Sequence, residues 1–199
     1  MTKIVNQSDF GIVCQALDNH KVVAFPTETV FGVGVKFNDV VALDALMEAK
    51  NRDYSKAVTL MVYDISDIEK YAYVNDNARK IIDNFMPGMI TLVMKKKESV
   101  DPVMTNGKDT IGIRIPDSKY VLELLKRAGP MLVTSANLSN HINTTTTSQV
   151  LEQLDGRIEL VVDGKTLDNV ASSVIDVTSE DIKVLREGKI KEEDIRRVL

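Results

Sequence analysis

The 199-residue sequence has no tryptophan, one cysteine and two histidines. A single thiol, Cys14, cannot close an internal disulfide and suits a reducing cytoplasm. It sits among Ile12, Val13 and Leu17, so it reads as a packed core thiol. His20 and His141 share no Cys or His cluster, which argues against a zinc site. Five Tyr and five Phe without Trp leave few platforms for stacking single-stranded RNA. No apolar run approaches the length of a membrane span. The opening residues, MTKIVNQSDFGIV, turn polar too soon for the apolar core of a signal peptide. Charge is nearly balanced: 29 acidic and 25 basic residues give a net −4, so global charge makes no case for nonspecific nucleic-acid binding. A local basic cleft stays open.

Several nucleotide and hydrolase signatures are missing too. Gly32-Val-Gly34 lacks the third glycine of GxGxxG, and no GxxxxGK[ST] loop occurs. No serine sits in GxSxG, so a hydrolase nucleophile has no local support.

What the chain does contain is a series of apolar strands that deliver polar loops. Residues 22–25 form a short buried strand, and Pro26 stops it for want of an N–H. Thr27, Glu28 and Thr29 follow at its carboxyl end, where α/β sheets place ligands. Gly32 and Gly34 allow a tight turn or a close approach to a ligand. A helical period then runs through Val40, Leu43, Leu46 and Met47 to Lys50 and Arg52, two cations one residue apart. Further helices are expected over 8–19, with Ser8 or Asp9 as N-cap, over 64–71 and over 75–84, with Asn75 as cap. Strands are expected over 57–63, from Met89 to the basic run Lys95, Lys96 and Lys97, and over 110–115, where TIGIRI alternates and carries Arg114. A helix through Tyr120 and Leu124 follows, then MLVT, which delivers Ser135, Ala136 and Asn137. The tract NTTTTSQ is a loop and helix cap, or faces its hydroxyls to a ligand. IELVVDG, SSVIDV and IKVLRE close the sheet, and KEEDIRRVL is a terminal helix with acids first and bases last. The fold class is α/β: one domain over residues 1–199, with a twisted, mixed parallel and antiparallel sheet and flanking helices.

Taken singly, these polar residues have plain readings. Lys50 and Arg52 are solvated helix-end charges or phosphate ligands. Arg114 is an edge charge or a carboxylate clamp. Ser135 and Asn137 form a turn or touch a ligand. Together, the loops suit an anionic substrate rather than covalent catalysis.

In order along the chain, PTETVFGVG, Lys50-Asn51-Arg52, Pro87-Gly88 before TLV, TIGIRIP, Ser135-Ala136-Asn137, SSVID and Val184-Leu185-Arg186-Glu187-Gly188 resemble the motifs of the YrdC-like family, the threonylcarbamoyl-AMP synthases. The sequence departs from that pattern at Phe31, Asp53, Ala57, Ser118, Asn140 and Glu187. The resemblance implies a single-domain form with a concave anion-binding cleft. It implies that L-threonine, bicarbonate or CO2, and ATP give threonylcarbamoyl-AMP and pyrophosphate. A partner transferase then modifies tRNA, which the chain itself contacts weakly.

The resemblance also assigns roles. Lys50 and Arg52 would grip the triphosphate, and Arg114 would take threonine's carboxylate in a bidentate fork. Thr27 and Ser172 would bond the amino acid, and Ser135 and Asn137 would bridge threonine and ATP. Thr110, Thr145 and Arg186 would touch the nucleotide, and Mg2+ would arrive with ATP. Two alternatives remain. One is a structured-RNA-binding or ribosome-maturation protein using Lys95, Lys96, Lys97, Lys108 and Arg114. The other is a carbamoyl-transfer domain like those of hydrogenase-maturation enzymes.

Overall fold

A computed structural model describes all 199 residues. Along the chain its elements are β1 Lys3–Val5, α1 Phe10–Asp18, β2 Val23–Phe25, β3 Gly32–Lys36, α2 Val40–Ala49, β4 Thr59–Met61, α3 Ile65–Tyr71 and α4 Asp76–Phe85. Then come β5 Ile90–Lys95, β6 Thr110–Arg114, α5 Lys119–Ala128, β7 Met131–Ser135, α6 Thr147–Leu154, β8 Leu160–Val162, β9 Ser173–Asp176, β10 Lys183–Arg186 and α7 Glu192–Arg196. A short 3-10 turn, Pro102–Thr105, lies between β5 and β6. The strands make one sheet in the order β1-β8-β2-β3-β7-β4-β6-β5-β9-β10. Parallel and antiparallel pairs are mixed throughout, as the strand-after-strand pattern near the C-terminus requires.

Local chemistry sets the helix starts. Asp39 accepts the Ala42 N–H at 3.0 Å, and Asn75 accepts the Ala78 N–H at 2.8 Å. Asp64 and Asp67 form a reciprocal capping box at the start of α3. Each such cap stabilises its helix by about 1 kcal/mol. Thr146 caps α6 through the Gln149 N–H, so the threonine-rich tract serves as a cap there.

Side chains alternate across the sheet and divide the core in two. On one face, Val33, Leu60, Leu92, Ile113 and Ile175 meet Leu46 of α2, Ile68 of α3, Ile82 of α4 and Val150 of α6 in a cluster of 37 buried residues. The other face carries a cluster of only 15, because α1 and α5 alone cover it. They press Val13, Leu17, Val121 and Leu125 onto Val23, Phe25, Met131, Val133 and Leu160. Beyond that helix pair, the same face of β4, β6, β5 and β9 presents Thr59, Gly112, Thr91, Val93 and Asp176 to a cleft.

Two local features differ from the sequence reading. β1 was not anticipated: it is a three-residue edge strand paired only with β8. Gly32 and Gly34 lie within β3, antiparallel to β2, not in a turn, and neither has positive φ. Gly32 lines the cleft described below, which keeps the close-approach reading for it, and crowding asks for glycine at Gly34. A Cβ on Gly34 would meet the Leu132 carbonyl at 2.8 Å and Val133 Cγ2 at 2.9 Å. We therefore expect Gly34→Ala to lower stability by about 1–3 kcal/mol through overpacking. Gly11→Ala, at an exposed position of α1 with nothing within 4 Å, should raise it by about 0.5–1 kcal/mol. Urea unfolding midpoints of the two variants check both signs.

Candidate functional site

The cleft has a volume of about 400 Å3, within the range of small-molecule sites. Its walls come from strand ends that the chain delivers far apart in sequence. Thr27, Thr29 and Phe31 come from the β2–β3 loop, Thr59 and Met61 from β4, and Thr91 and Val93 from β5. Thr110, Gly112 and Arg114 come from β6, Ser135 from β7, and Ser172, Asp176 and Arg186 from β9, β10 and their approaches. Arg52 and Lys108 enter from loops. Four cationic side chains thus face one lining carboxylate, Asp176, so the cleft is positive although the whole chain is negative.

The guanidinium groups feel one another. Burial, and then Arg186, lowers the Arg52 pKa; burial, and then Arg114, lowers that of Arg186. An anion between them relieves both penalties at once. Arg186 is held by the Ser172 carbonyl, which accepts from Nε at 2.9 Å, and by Ser172 Oγ, which accepts from Nη2 at 3.2 Å. Ser172 Oγ also lies 3.0 Å from Thr91 Oγ1. Arg52 donates to the Ala57 carbonyl at 2.7 Å, and its buried Nε has no partner in the protein.

Arg114 is 4% exposed and unusually well tied. Its Nε donates to the Gly88 carbonyl at 3.1 Å. Its Nη2 donates to Glu28 Oε1 and to Thr29 Oγ1, the latter at 3.3 Å. Glu28 is equally buried, so this is an ion pair taken out of water, and removing one partner of such a pair costs about 3–5 kcal/mol. Thr27 shapes the adjoining loop: its Oγ1 donates to the Val30 carbonyl at 2.8 Å and accepts the Thr29 N–H at 3.0 Å.

Lys50 does not line the cleft. It caps α2, is 1% exposed, and its Nζ donates to the backbone carbonyls of Ser135 and Asn137. In this structure it fastens the end of β7 to the end of α2. Asn137 is buried as well: its Nδ2 donates to the Leu138 carbonyl at 2.7 Å and the His141 carbonyl at 2.9 Å, and its Oδ1 is unpartnered. Thr145 also lies outside the lining, its hydroxyl donating to Gln149 Oε1 at 3.0 Å. Of the residues singled out from sequence, Thr27, Arg52, Thr110, Arg114, Ser135, Ser172 and Arg186 therefore share one cleft. Lys95, Lys96 and Lys97 do not line it; Lys96 donates to the Val100 carbonyl at 2.9 Å, and Lys97 sits over the Tyr73 ring. The sequence places Glu28 at a ligand-bearing strand end but gives no role to it, to Thr91 or to Asp176. Alternation in the strand ITLVMK is the signal that could have put Thr91 on the Arg114 face.

Comparison with known proteins adds kinship to this geometry. The Sua5/YciO/YrdC family model, described by the words telomere recombination, matches residues 15–188. A Methanocaldococcus jannaschii protein, provisionally named a threonylcarbamoyl-AMP synthase, is 36% identical over 90% of the chain and 85% of its own length. The threonylcarbamoyl-AMP synthase of Bacillus subtilis is 35% identical over 98% of the chain, which spans only 57% of that protein. The solved structure of P. abyssi Sua5 complexed with L-threonine superposes with a TM-score of 0.94 at 32% identity, covering the whole chain and 61% of the other.

Lys50 yields a prediction with a definite sign. Burial, reinforced by Arg52, pushes its pKa down from the ordinary 10.5 to about 7. Between those values the native state binds fewer protons than the unfolded one, so this group's contribution to stability rises with pH. A neutral amine keeps two N–H donors, enough for both carbonyls. Comparing wild type with Lys50→Met at about pH 6.5 and about pH 9.5, we expect the difference in urea midpoint to shift toward the wild type at the higher pH. A difference that does not change with pH contradicts the assignment.

Proposed function

We infer the activity from kinship and geometry together: the chain belongs to the Sua5/YciO/YrdC family, and we propose that it is a threonylcarbamoyl-AMP synthase. In this reaction the amine nitrogen of L-threonine adds to the carbon of CO2, itself supplied directly or from bicarbonate, and loses a proton. A carbamate oxygen then attacks the α-phosphorus of ATP, and the bond to pyrophosphate breaks. The enzyme is in these terms a nucleotidyltransferase. Its product would pass to a partner transferase acting on tRNA in the cytoplasm. No helix of the chain is long and apolar enough to cross a membrane.

The observation that carries this reading is the convergence of Arg52, Arg114 and Arg186 with a wall of hydroxyls on one cleft. Every reactant in the sequence is an anion or becomes one. Such chemistry is accelerated mainly by holding partners together and neutralising charge, and needs no protein nucleophile. Arg52 and Arg186, whose charge is disfavoured first by burial and then by a neighbouring arginine, suit the phosphates and the charge growing on pyrophosphate. Arg114 suits threonine's carboxylate. Ser172 and Ser135 offer hydroxyls to the amino acid, and Thr110 to the nucleotide, while Thr27, whose hydroxyl is spent on Val30 and Thr29, shapes the loop beside them. Lys50 would act through the backbone of Ser135 and Asn137, keeping that loop against the reacting centre. No group of three or more His, Cys, Asp and Glu side chains stands ready to hold a metal. Magnesium would therefore travel on the phosphates of ATP, and none of these roles runs through it.

Two experiments check the reading. Incubated with ATP, magnesium, bicarbonate and one amino acid at a time, the protein should release pyrophosphate with L-threonine and much less with serine or valine. Release independent of threonine would overturn the assignment. A charge-assisted contact is worth about 1.5–3 kcal/mol, so Arg52→Ala or Arg186→Ala should cut kcat/KM for ATP by about 10–100-fold with the fold intact. Steady-state kinetics with circular dichroism as a folding control measures this.

A further inference from the structure

Glu28 is a buried ionisable group that the roles above do not use. Its Oε1 accepts from Arg114 Nη2 and from the Asp117 N–H at 3.0 Å, while its Oε2, also buried, has no partner. The carboxylate thereby ties the β2–β3 loop to Arg114 and to the chain just past β6. Its effect on Arg114 follows from counting donors. A guanidinium has five N–H groups. The single N–H of Nε goes to the Gly88 carbonyl, and the two of Nη2 go to Glu28 and Thr29. Nη1 alone makes no hydrogen bond within the protein, so it is the nitrogen left for a ligand in the cleft that Arg114 lines.

We propose that Glu28 is a positioning residue that decides how Arg114 meets its substrate. By occupying Nη2 it forbids the two-pronged grip that an arginine otherwise offers a carboxylate. The incoming carboxylate must bind end-on at Nη1, farther round the guanidinium than a bidentate pair would sit. That fixes where threonine's amine lies relative to the nucleotide. An offset of about 1 Å at a reacting atom can cost about 100-fold in rate. The inference rests on the threonine-binding reading of the cleft and adds to it a constraint on geometry.

The test separates turnover from binding. In Glu28→Ala, and in Glu28→Leu should the first not fold, the Nη2 N–H that Glu28 held is released while Thr29 keeps the other, and the carboxylate can take that N–H together with Nη1. We expect kcat to fall at least about fivefold while equilibrium binding of L-threonine is kept or tightened, the pattern of a substrate held well but in the wrong place. A kcat within fivefold of wild type overturns the proposal, and so does a loss of threonine binding that parallels the loss of turnover, which is what a merely structural role gives. Glu28→Gln is read separately. Its amide oxygen still occupies Nη2 and still accepts the Asp117 N–H, so turnover should stay within about fivefold of wild type; a larger loss in folded protein overturns the proposal. Wild-type protein that binds no threonine would instead overturn the assignment of function, a result distinct from either variant outcome.

Discussion

One sheet face is packed against helices across most of its width and the other along only half, and the site exists because of that imbalance. A strand must bury its apolar residues on at least one side. Here the helices α2, α3, α4 and α6, with Ile195 of α7, cover one side except at its β1 edge, which supplies the main core. On the other side α1 and α5 stop short, and the uncovered strands are free to carry Thr59, Thr91, Gly112, Arg114 and Asp176. Polar and cationic side chains can stand on a sheet floor only where no helix demands an apolar one.

The second constraint is electrostatic. A protein with a net charge of −4 concentrates three arginines and a lysine in one cleft, and most of their counter-ions lie elsewhere. Its ion pairs at Lys70–Asp67, Arg127–Glu123 and Arg196–Glu192 are exposed and contribute little. The one buried pair, Glu28 with Arg114, is different in kind: it orders a cation in the site. Lys50 works in the same spirit from behind. Its amine anchors two carbonyls of the loop after β7, and its lowered pKa is the cost of holding it away from water beside Arg52.

Much of this was legible in the residues, for identifiable reasons. Asn75 announced a helix start because capping is a local interaction three residues in reach. TIGIRI announced Arg114 on the polar face because alternation is also local. What escaped was either too short or too distant. β1 has three residues, too few to show a period, and β3 hid behind two glycines whose reason is a neighbouring strand about 100 positions later. The partnership of Arg114 with Glu28 spans 86 positions, and that of Lys50 with Ser135 spans 85. No local pattern reports such contacts, so the motif around Lys50 suggested a phosphate ligand where the fold shows a buried tether.

A structure of the chain with L-threonine and a non-hydrolysable ATP analogue tests the central claim most directly. The account predicts the threonine carboxylate end-on at Arg114 Nη1, and the phosphates between Arg52 and Arg186 on the uncovered half of the sheet. Threonine and nucleotide seated in separate places, or phosphates bound away from those two arginines, would contradict it.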